Sequence, residues 1–183
     1  MKLIALQIKT TPSFQDNLDH LKELINSCED NSLILAPELA LSGFAYDNMQ
    51  LAAQFSIKAI EELKELSINK TIALTFIVNH ENKYFNTLYI FHNQNIIHTQ
   101  SKVQLFPLGN ELEYFSAGNI DDIKIIEING LKIATLICFE LRFPKLWERI
   151  KGADIILNPA MWGIKRKDHY ETISKSLALV NQC

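Results

Sequence analysis

The sequence contains few cysteines, and they are widely spaced. Cys28, Cys138 and Cys183 are the only three among 183 residues, and no CxxC pair occurs. A disulfide framework needs paired cysteines, and structural zinc sites usually bring their cysteines close together in sequence. The pattern argues against both and predicts a reducing, cytoplasmic location.

Long apolar runs and an excess of one charge are missing too. No run is long enough to span a bilayer, and the apolar stretch in MKLIALQIKTTP is too short for a secretory signal. The formal net charge is −3 and the pI is near 6.0, so no basic surface for nucleic acid or anionic membrane is indicated. Glycine-rich phosphate loops and histidine clusters do not occur. We therefore expect no nucleic-acid or membrane partner, no metal and no organic cofactor.

Short apolar segments alternate with helical patterns along the chain. Hydrophobic residues make up 48% and charged residues 21%, which is typical of one globular domain over residues 1–183. Apolar spacing predicts strands at 2–8, 32–38, 71–78, 84–92, 95–101, 123–128 and 131–138, and a strand followed by a loop in 153–163. Helical spacing predicts helices at 16–25, 57–66, 142–151 and 168–181. Continuous apolar strands separated by helices favour an α/β fold.

Turn and cap residues mark the ends of several predicted elements. Asp16 is expected to cap the first helix. Hairpins are expected around Asn93–Asn95 and at Asn129–Gly130, where asparagine and glycine accept positive φ angles. The long loop at 102–121 carries charged and aromatic residues, and loops of this length are usually functional.

Three chemically active side chains follow predicted strands. Glu38 follows the second strand, Lys102 follows the second strand of the first hairpin, and Cys138 ends the strand in LKIATLIC. Residues just past strand ends gather at one edge of an α/β sheet. A carboxylate can act as a general base towards a thiol, and an ammonium favours the thiolate and faces an oxyanion. The three residues together predict a nucleophilic site.

Taken singly, each of these residues also fits a structural role. Cys138 fits a small buried apolar residue at a strand end. Glu38 fits a solvated turn, and Lys102 fits a charge that protects an edge strand from aggregation.

Four segments, in chain order, strengthen the catalytic interpretation. LAPELALSGF, SKVQLF followed by NELEYFSAGN, LICFELRFPKLW and ILNPAMWG each resemble a signature segment of the nitrilase superfamily, the carbon–nitrogen hydrolases. The resemblance covers essentially the whole chain, and CFELRFP and NPAMWG are most similar to the small amidase branch that includes the omega-amidases. It implies a four-layer α-β-β-α sandwich, a small-molecule amide substrate, no cofactor and assembly into a homo-oligomer.

The resemblance also implies a role for individual residues. Glu38 matches the general base, Lys102 the catalytic lysine and Cys138 the nucleophile. Glu111, nine residues after Lys102, matches a second glutamate that positions the lysine and the substrate; Glu113 competes for this role, but its spacing fits less well. The backbone N–H of Phe139 matches the oxyanion donor.

Two further residues near the nucleophile are candidates for substrate binding. Arg142 can bind a substrate carboxylate as a two-pronged donor, and it can equally pair with Glu140 or Glu148. Trp162 can wall the pocket, and it can equally pack in the core.

The predicted activity is hydrolysis of a small linear amide through a cysteine thioester, releasing ammonia and a carboxylic acid. The same three side chains also suit a nitrilase or an N-carbamoyl amidohydrolase. Two departures from the family pattern, Gln104 in place of a common histidine and CFE in place of the commoner CYD, leave the three side chains unchanged. The C-terminal strands of the sandwich are expected to be absent, so an inactive truncated fragment or an interaction module is a further alternative.

Overall fold

A computed structural model describes residues 1–183, which form eight strands and five α-helices. The strands are β1 (Lys2–Ala5), β2 (Ser32–Leu35), β3 (Thr71–His80), β4 (Lys83–His92), β5 (Asn95–Ser101), β6 (Ile126–Ile128), β7 (Leu131–Thr135) and β8 (Ile155–Leu157). The helices are α1 (Phe14–Ser27), α2 (Met49–Glu65), α3 (Glu111–Tyr114), α4 (Pro144–Arg149) and α5 (Lys167–Asn181).

The strands form two sheets. The first has the order β1-β2-β3-β4-β5, in which β1, β2 and β3 are parallel and β3, β4 and β5 are antiparallel. The second has the order β6-β7-β8, with β6 and β7 antiparallel and β7 and β8 parallel. The predicted α/β class is therefore confirmed.

Three apolar clusters fix how these elements pack. The first joins α1 and α2 to one face of the five-stranded sheet, through residues such as Leu21, Leu63 and Phe76. The second joins β2, β3 and β4 to β6, β7 and β8, so the two sheets pack face to face. The third joins the second sheet to α4 and α5. This packing agrees with the predicted α-β-β-α order.

Both predicted hairpins are present. Asn93 and Gln94 connect β4 to β5 with φ angles of 47° and 60°. Asn129 and Gly130 connect β6 to β7 with φ angles of 52° and 78°. Positive φ is least costly for asparagine and glycine, which explains the turns at Asn93 and at Asn129–Gly130; Gln94 adopts it without that preference.

Two local predictions are wrong. The cap of α1 is Ser13, whose Oγ accepts the Asp16 N–H at 3.2 Å; Asp16 lies in the first helical turn instead. The strand predicted to reach Cys138 ends at Thr135, because the chain turns into a 3-10 helix over Cys138–Arg142. The loop at 102–121 contains the short helix α3.

No helix has the length and apolar character needed to cross a membrane.

Candidate active site

Glu38, Lys102 and Glu111 meet inside the protein. The Lys102 ammonium donates to Glu38 Oε1 at 2.7 Å and to Glu111 Oε1 at 2.8 Å. Glu38 and Lys102 are 0% exposed and Glu111 is 1% exposed. Charged side chains are rarely so deeply buried unless they are paired, so the chain holds these three as one unit.

The backbone after β2 and β5 places the first two of these residues. Leu39, directly after Glu38, has a φ of 48°, and its N–H donates to Thr75 Oγ1 on β3 at 2.7 Å. The Lys102 N–H donates to the Asn86 carbonyl at 2.8 Å, and the Lys102 carbonyl accepts the Gly118 N–H at 2.9 Å. Both side chains therefore leave their strands at the same end of the sheet.

Asn86 is a site residue that sequence reasoning missed. It lies on β4, is 0% exposed, and donates from Nδ2 to Glu38 Oε1 at 2.8 Å. The Met161 N–H donates to the other oxygen, Glu38 Oε2, at 3.1 Å. A polar asparagine among the apolar residues of β4 is the signal that could have identified it. Both contacts fix the orientation of the Glu38 carboxylate.

Glu111, and not Glu113, reaches the lysine. Glu111 begins α3, and its second oxygen accepts the Phe106 N–H at 3.0 Å. Glu113, two residues later, is exposed to solvent. The short helix α3 in the predicted functional loop therefore places one of the two candidate carboxylates beside Lys102.

Cys138 lies at a sharp turn of the backbone next to these groups. Its φ is 46°, a left-handed value that is uncommon for a residue with a side chain. The Cys138 N–H donates to the Pro159 carbonyl at 2.9 Å, and the Glu140 N–H donates to the Ile137 carbonyl at 3.0 Å. The N–H of Phe139, the residue between Cys138 and Glu140, donates to no backbone carbonyl across this turn and is therefore available to a ligand. Strained turns of this kind expose nucleophiles in other α/β enzymes.

Lys102 favours the Cys138 thiolate, as expected, but two other effects outweigh it. Burial and then the nearby Glu38 carboxylate raise the pKa of Cys138 well above its usual value, and the opposing effect of Lys102 is smaller. Two carboxylates share the single Lys102 ammonium, so a thiolate would add a second uncompensated negative charge. We therefore expect Cys138 to rest as a neutral thiol.

The same charges act on the lysine and the second glutamate. Burial alone would lower the pKa of Lys102, but the nearby carboxylates Glu38 and Glu111 act in the opposite direction, and the net pKa is raised. Burial raises the pKa of Glu111, and the Lys102 ammonium partly offsets this effect. Lys102 therefore stays protonated and supplies a fixed positive charge.

A cavity of about 220 Å³ opens in front of Cys138. All three predicted substrate-binding residues, Phe139, Arg142 and Trp162, line it. Its other lining residues are Phe44, Tyr46, Phe106, Gly109, Glu111, Met161, Gly163 and Arg166. The cavity suits a ligand of a few non-hydrogen atoms with one reactive end near the thiol.

Two guanidinium groups belong to this cavity. Arg142 stacks over the Trp162 ring at 4.9 Å, and Arg166, which sequence reasoning missed, stacks over the Phe106 ring at 5.0 Å. Neither arginine forms an ion pair, and the polar contact of Arg142 is with His169 Nδ1 at 3.3 Å. Stacking orients both groups and leaves donors free for an anion.

The pairing of Arg142 with Glu140 or Glu148, left open from the sequence, is therefore wrong. Glu140 accepts backbone N–H groups instead, and Glu148 is exposed on α4. Trp162 combines both of its expected roles, because it lines the cavity and also packs against the apolar cluster between the sheets. Its indole N–H donates to the Arg166 carbonyl at 2.8 Å.

A larger groove of about 1060 Å³ runs beside β1. It is lined by residues 5–12 and by the segment 158–162, among others, and it contains neither Cys138 nor any of the three buried charges. The chemistry therefore belongs to the smaller cavity. No group of three histidine, cysteine or acidic side chains is arranged to hold a metal ion.

Comparisons with known proteins show which family this sequence resembles. A family model described as carbon-nitrogen hydrolase matches residues 3–183. A 2-oxoglutaramate amidase of Bacillus subtilis strain 168 is 32% identical over 159 residues, which cover 82% of this chain and 60% of that protein. An omega-amidase, YafV, of Escherichia coli strain K12 is 28% identical over 168 residues, which cover 91% of this chain and 64% of that protein.

The fold is also shared with solved structures. A CN-hydrolase superfamily protein from Xanthomonas campestris, solved with an arsenic adduct in its active site, superposes with a TM-score of 0.81 at 24% identity. The superposition covers 96% of this chain and 69% of that protein. Against the two amidases named above, the present chain spans less than two thirds of their length. Because the family model matches nearly every residue, the chain belongs to the carbon-nitrogen hydrolase family.

Proposed function

We propose that this chain hydrolyses the C–N bond of a small linear amide, with Cys138 as nucleophile and Glu38 as general base. The observation that carries the proposal is the buried contact of Lys102 with Glu38 and Glu111 beside the Cys138 turn. The names of the two amidases support the same bond type.

The first half of the reaction forms a thioester. Cys138 Sγ attacks the amide carbon while its proton passes to the Glu38 carboxylate, since the resting thiol is neutral. The carbonyl oxygen becomes an oxyanion in the tetrahedral intermediate. Glu38 then gives the proton to the leaving nitrogen, the C–N bond breaks, and ammonia departs.

Lys102 and the Phe139 N–H stabilise the oxyanion. A lysine ammonium has three N–H donors, and Glu38 and Glu111 use two of them. The third is available to the substrate oxygen. Because both carboxylates hold the ammonium in place, it needs no rearrangement when the charge develops.

The second half of the reaction reuses Glu38. The carboxylate accepts a proton from water, the hydroxide attacks the thioester carbonyl, and the C–S bond breaks. The proton returns from Glu38 to the sulfur, and the carboxylic acid leaves. The site is then restored without any cofactor.

The substrate end remote from the amide is proposed to carry a carboxylate. Arg142 and Arg166 supply two guanidinium groups to a cavity of about 220 Å³, and neither is neutralised by an ion pair. Guanidinium groups bind carboxylates through paired, charge-assisted hydrogen bonds. A monoamide of a short dicarboxylic acid fits both ends of this cavity.

Replacing either arginine should lower kcat/KM for a substrate with a carboxylate much more than for a neutral one. Arg142→Gln and Arg166→Gln are each expected to lower kcat/KM for the monoamide of pentanedioic acid by about 10- to 100-fold, the worth of one charged hydrogen bond. Pentanamide, which lacks the carboxylate, should change by less than about threefold. Steady-state ammonia release measures both. Lys165→Gln, an exposed neighbour outside the cavity, is the charge control. Equal losses on both amides would contradict carboxylate binding.

Ammonia release from a substrate panel tests the proposed reaction. The panel contains linear amides, nitriles and N-carbamoyl amino acids, because the same three side chains also suit the last two. We expect the amides to be turned over fastest. Faster turnover of nitriles or carbamoyl compounds would assign the chain to those activities. No release from any of them by folded protein would favour the inactive fragment or interaction module.

The proposal extends to the state and location of the protein. We propose a homo-oligomer in the cytoplasm; its three cysteines are free, as a reducing compartment requires, and large apolar side chains such as Leu108, Leu179 and Val180 are exposed. Light scattering after size-exclusion chromatography tests the assembly, and a monomer at all concentrations would contradict it.

A further inference from the structure

Glu140 is a buried carboxylate that the reaction described above does not use. Its side chain is 0% exposed, and it forms no ion pair with a lysine or arginine. Burial raises its pKa to about 7, although backbone hydrogen bonds and Lys102 act in the opposite direction. Burying a carboxylate costs free energy unless its oxygens are bonded, so its contacts need an explanation.

The contacts of Glu140 join the two segments that carry the reacting groups. Oε1 accepts the Val103 N–H at 2.6 Å and the Gln104 N–H at 3.4 Å. Oε2 accepts the Ile137 N–H at 2.6 Å. Val103 directly follows Lys102, and Ile137 directly precedes Cys138. One carboxylate therefore ties the lysine segment to the cysteine turn.

We infer that Glu140 is a positioning residue that fixes the Lys102 ammonium relative to the Cys138 sulfur. This inference rests on the proposed function, because it assigns those two groups to one reaction. The two segments come from different sheets, and a shift of about 1 Å between reacting groups can cost on the order of 100-fold in rate. A rigid tie at this point keeps the oxyanion donor and the nucleophile in register.

Only an acceptor with two free oxygens can make this tie. A glutamine at the same position has the same size, but its amide has one oxygen and one NH₂ donor. The NH₂ group would point at the N–H of either Val103 or Ile137, so one side of the tie would be lost. Glu140→Gln therefore tests the bonding pattern with little change in packing volume. Glu140→Asp keeps two oxygens on a shorter side chain.

We expect Glu140→Gln to lower kcat for the best amide by about 100-fold while KM changes by less than about threefold. Glu140→Asp should retain at least about tenfold more activity than Glu140→Gln, because both acceptors remain. Glu148→Gln makes the same charge change at an exposed position nearby and should behave as the parent. The measurements are made near pH 8.5, above the pKa of Glu140. Glu140→Gln with parental kcat would overturn the inference, as would a loss accounted for by its unfolded fraction.

Hydrogen exchange tests the tie itself, independently of turnover. In the parent protein the Val103 and Ile137 amides should exchange slowly, although neither bond belongs to a strand or α-helix. In Glu140→Gln at least one of them should lose protection, while Leu74 in β3 keeps it. Exchange of both parental amides at exposed-loop rates would overturn the inference even if Glu140→Gln does not fold. Retained protection with no amide turnover in the parent would refute the proposed function and leave the tie standing.

Discussion

Glu38→Gln is expected to lower amide turnover by about 10²- to 10⁴-fold, the usual contribution of a general base. The substitution preserves the shape of the side chain and the acceptor oxygen for Asn86 or Lys102. It removes the group that we propose takes the thiol proton and later activates water, so both halves of the reaction should slow. Ammonia release under saturating amide measures the loss.

The same substitution should make Cys138 more acidic. The Glu38 carboxylate raises the pKa of the Cys138 thiol, second only to burial, while Lys102 lowers it. Without the carboxylate charge, the thiolate should form at lower pH. The pH midpoint for alkylation of Cys138 by iodoacetamide is therefore expected to fall, although catalysis is lost.

Peptide mass spectrometry measures alkylation at each cysteine separately, so a change at Cys138 can be distinguished from a change in the reactivity of all cysteines. Cys28 and Cys183 serve as internal references in the same sample, because both lie outside the cavity. Glu113→Gln, an exposed acid in α3, is the matched charge control and should leave both midpoint and turnover unchanged. An unchanged or higher Cys138 midpoint in Glu38→Gln would contradict the charge arrangement derived for the site.

Lys102→Met is expected to abolish turnover and also to destabilise the fold by about 3–5 kcal/mol, the usual cost of removing one partner of a buried ion pair. Glu38 and Glu111 would then face each other with no cation between them. Methionine fills most of the space of the lysine, so the loss reflects charge more than packing. Urea unfolding near pH 8 measures it.

Acid should partly reverse this destabilisation. Burial raises the pKa of Glu111 and Lys102 lowers it, so removing Lys102 raises it further. A carboxyl whose folded pKa is raised binds protons more tightly when folded, and stability therefore increases as the pH falls through that pKa. The deficit of Lys102→Met relative to the parent should be smaller near pH 5.5 than near pH 8.

A neutral triple variant separates charge from shape. Lys102→Met combined with Glu38→Gln and Glu111→Gln removes all three charges and should recover most of the lost stability, though no activity. Lys70→Met, which removes a lysine that bonds only the Ile25 carbonyl, is the control. A triple variant as unstable as Lys102→Met would show that the ammonium acts through packing and not through its charge.

The sequence predicted a feature correctly where the chemistry or backbone preference of a residue type is enough to indicate its role. Glu38, Lys102, Glu111 and Cys138 come together as the four ordered segments predicted, and the α/β class is confirmed. The hairpin at Asn129–Gly130 was predictable because the two residues have a local preference for positive φ.

Features that depend on distant parts of the chain were not predictable. Asn86 bonds Glu38 across 48 positions, and nothing in the pattern of β4 specifies its partner. Arg166 reaches the cavity because the Trp162 indole N–H bonds its backbone carbonyl and the Phe106 ring stacks against its guanidinium group. Both contacts depend on the fold. The neutral state of the thiol depends on its burial and then on the neighbouring Glu38 carboxylate, and only the fold determines both.

Local rules also failed where two signals competed. Ser13 and Asp16 are both good helix caps, and the structure uses the earlier one. The apolar run LKIATLIC continues past the end of β7, because residues 136–138 remain buried and the Leu136 and Cys138 N–H groups still bond to the Leu157 and Pro159 carbonyls. Burial determines the apolar pattern here, so the pattern does not indicate where β7 ends before the turn at Cys138.

Turnover by Cys138→Ala tests whether the Cys138 thiol breaks the amide bond. The variant lacks only the sulfur, so it should keep the parental fold by thermal unfolding and release no ammonia above the uncatalysed rate from the best amide. Cys28→Ala, made at the half-buried end of α1, should retain full activity. Parental ammonia release by folded Cys138→Ala would show that the bond is broken without this thiol and that Cys138 is not the nucleophile.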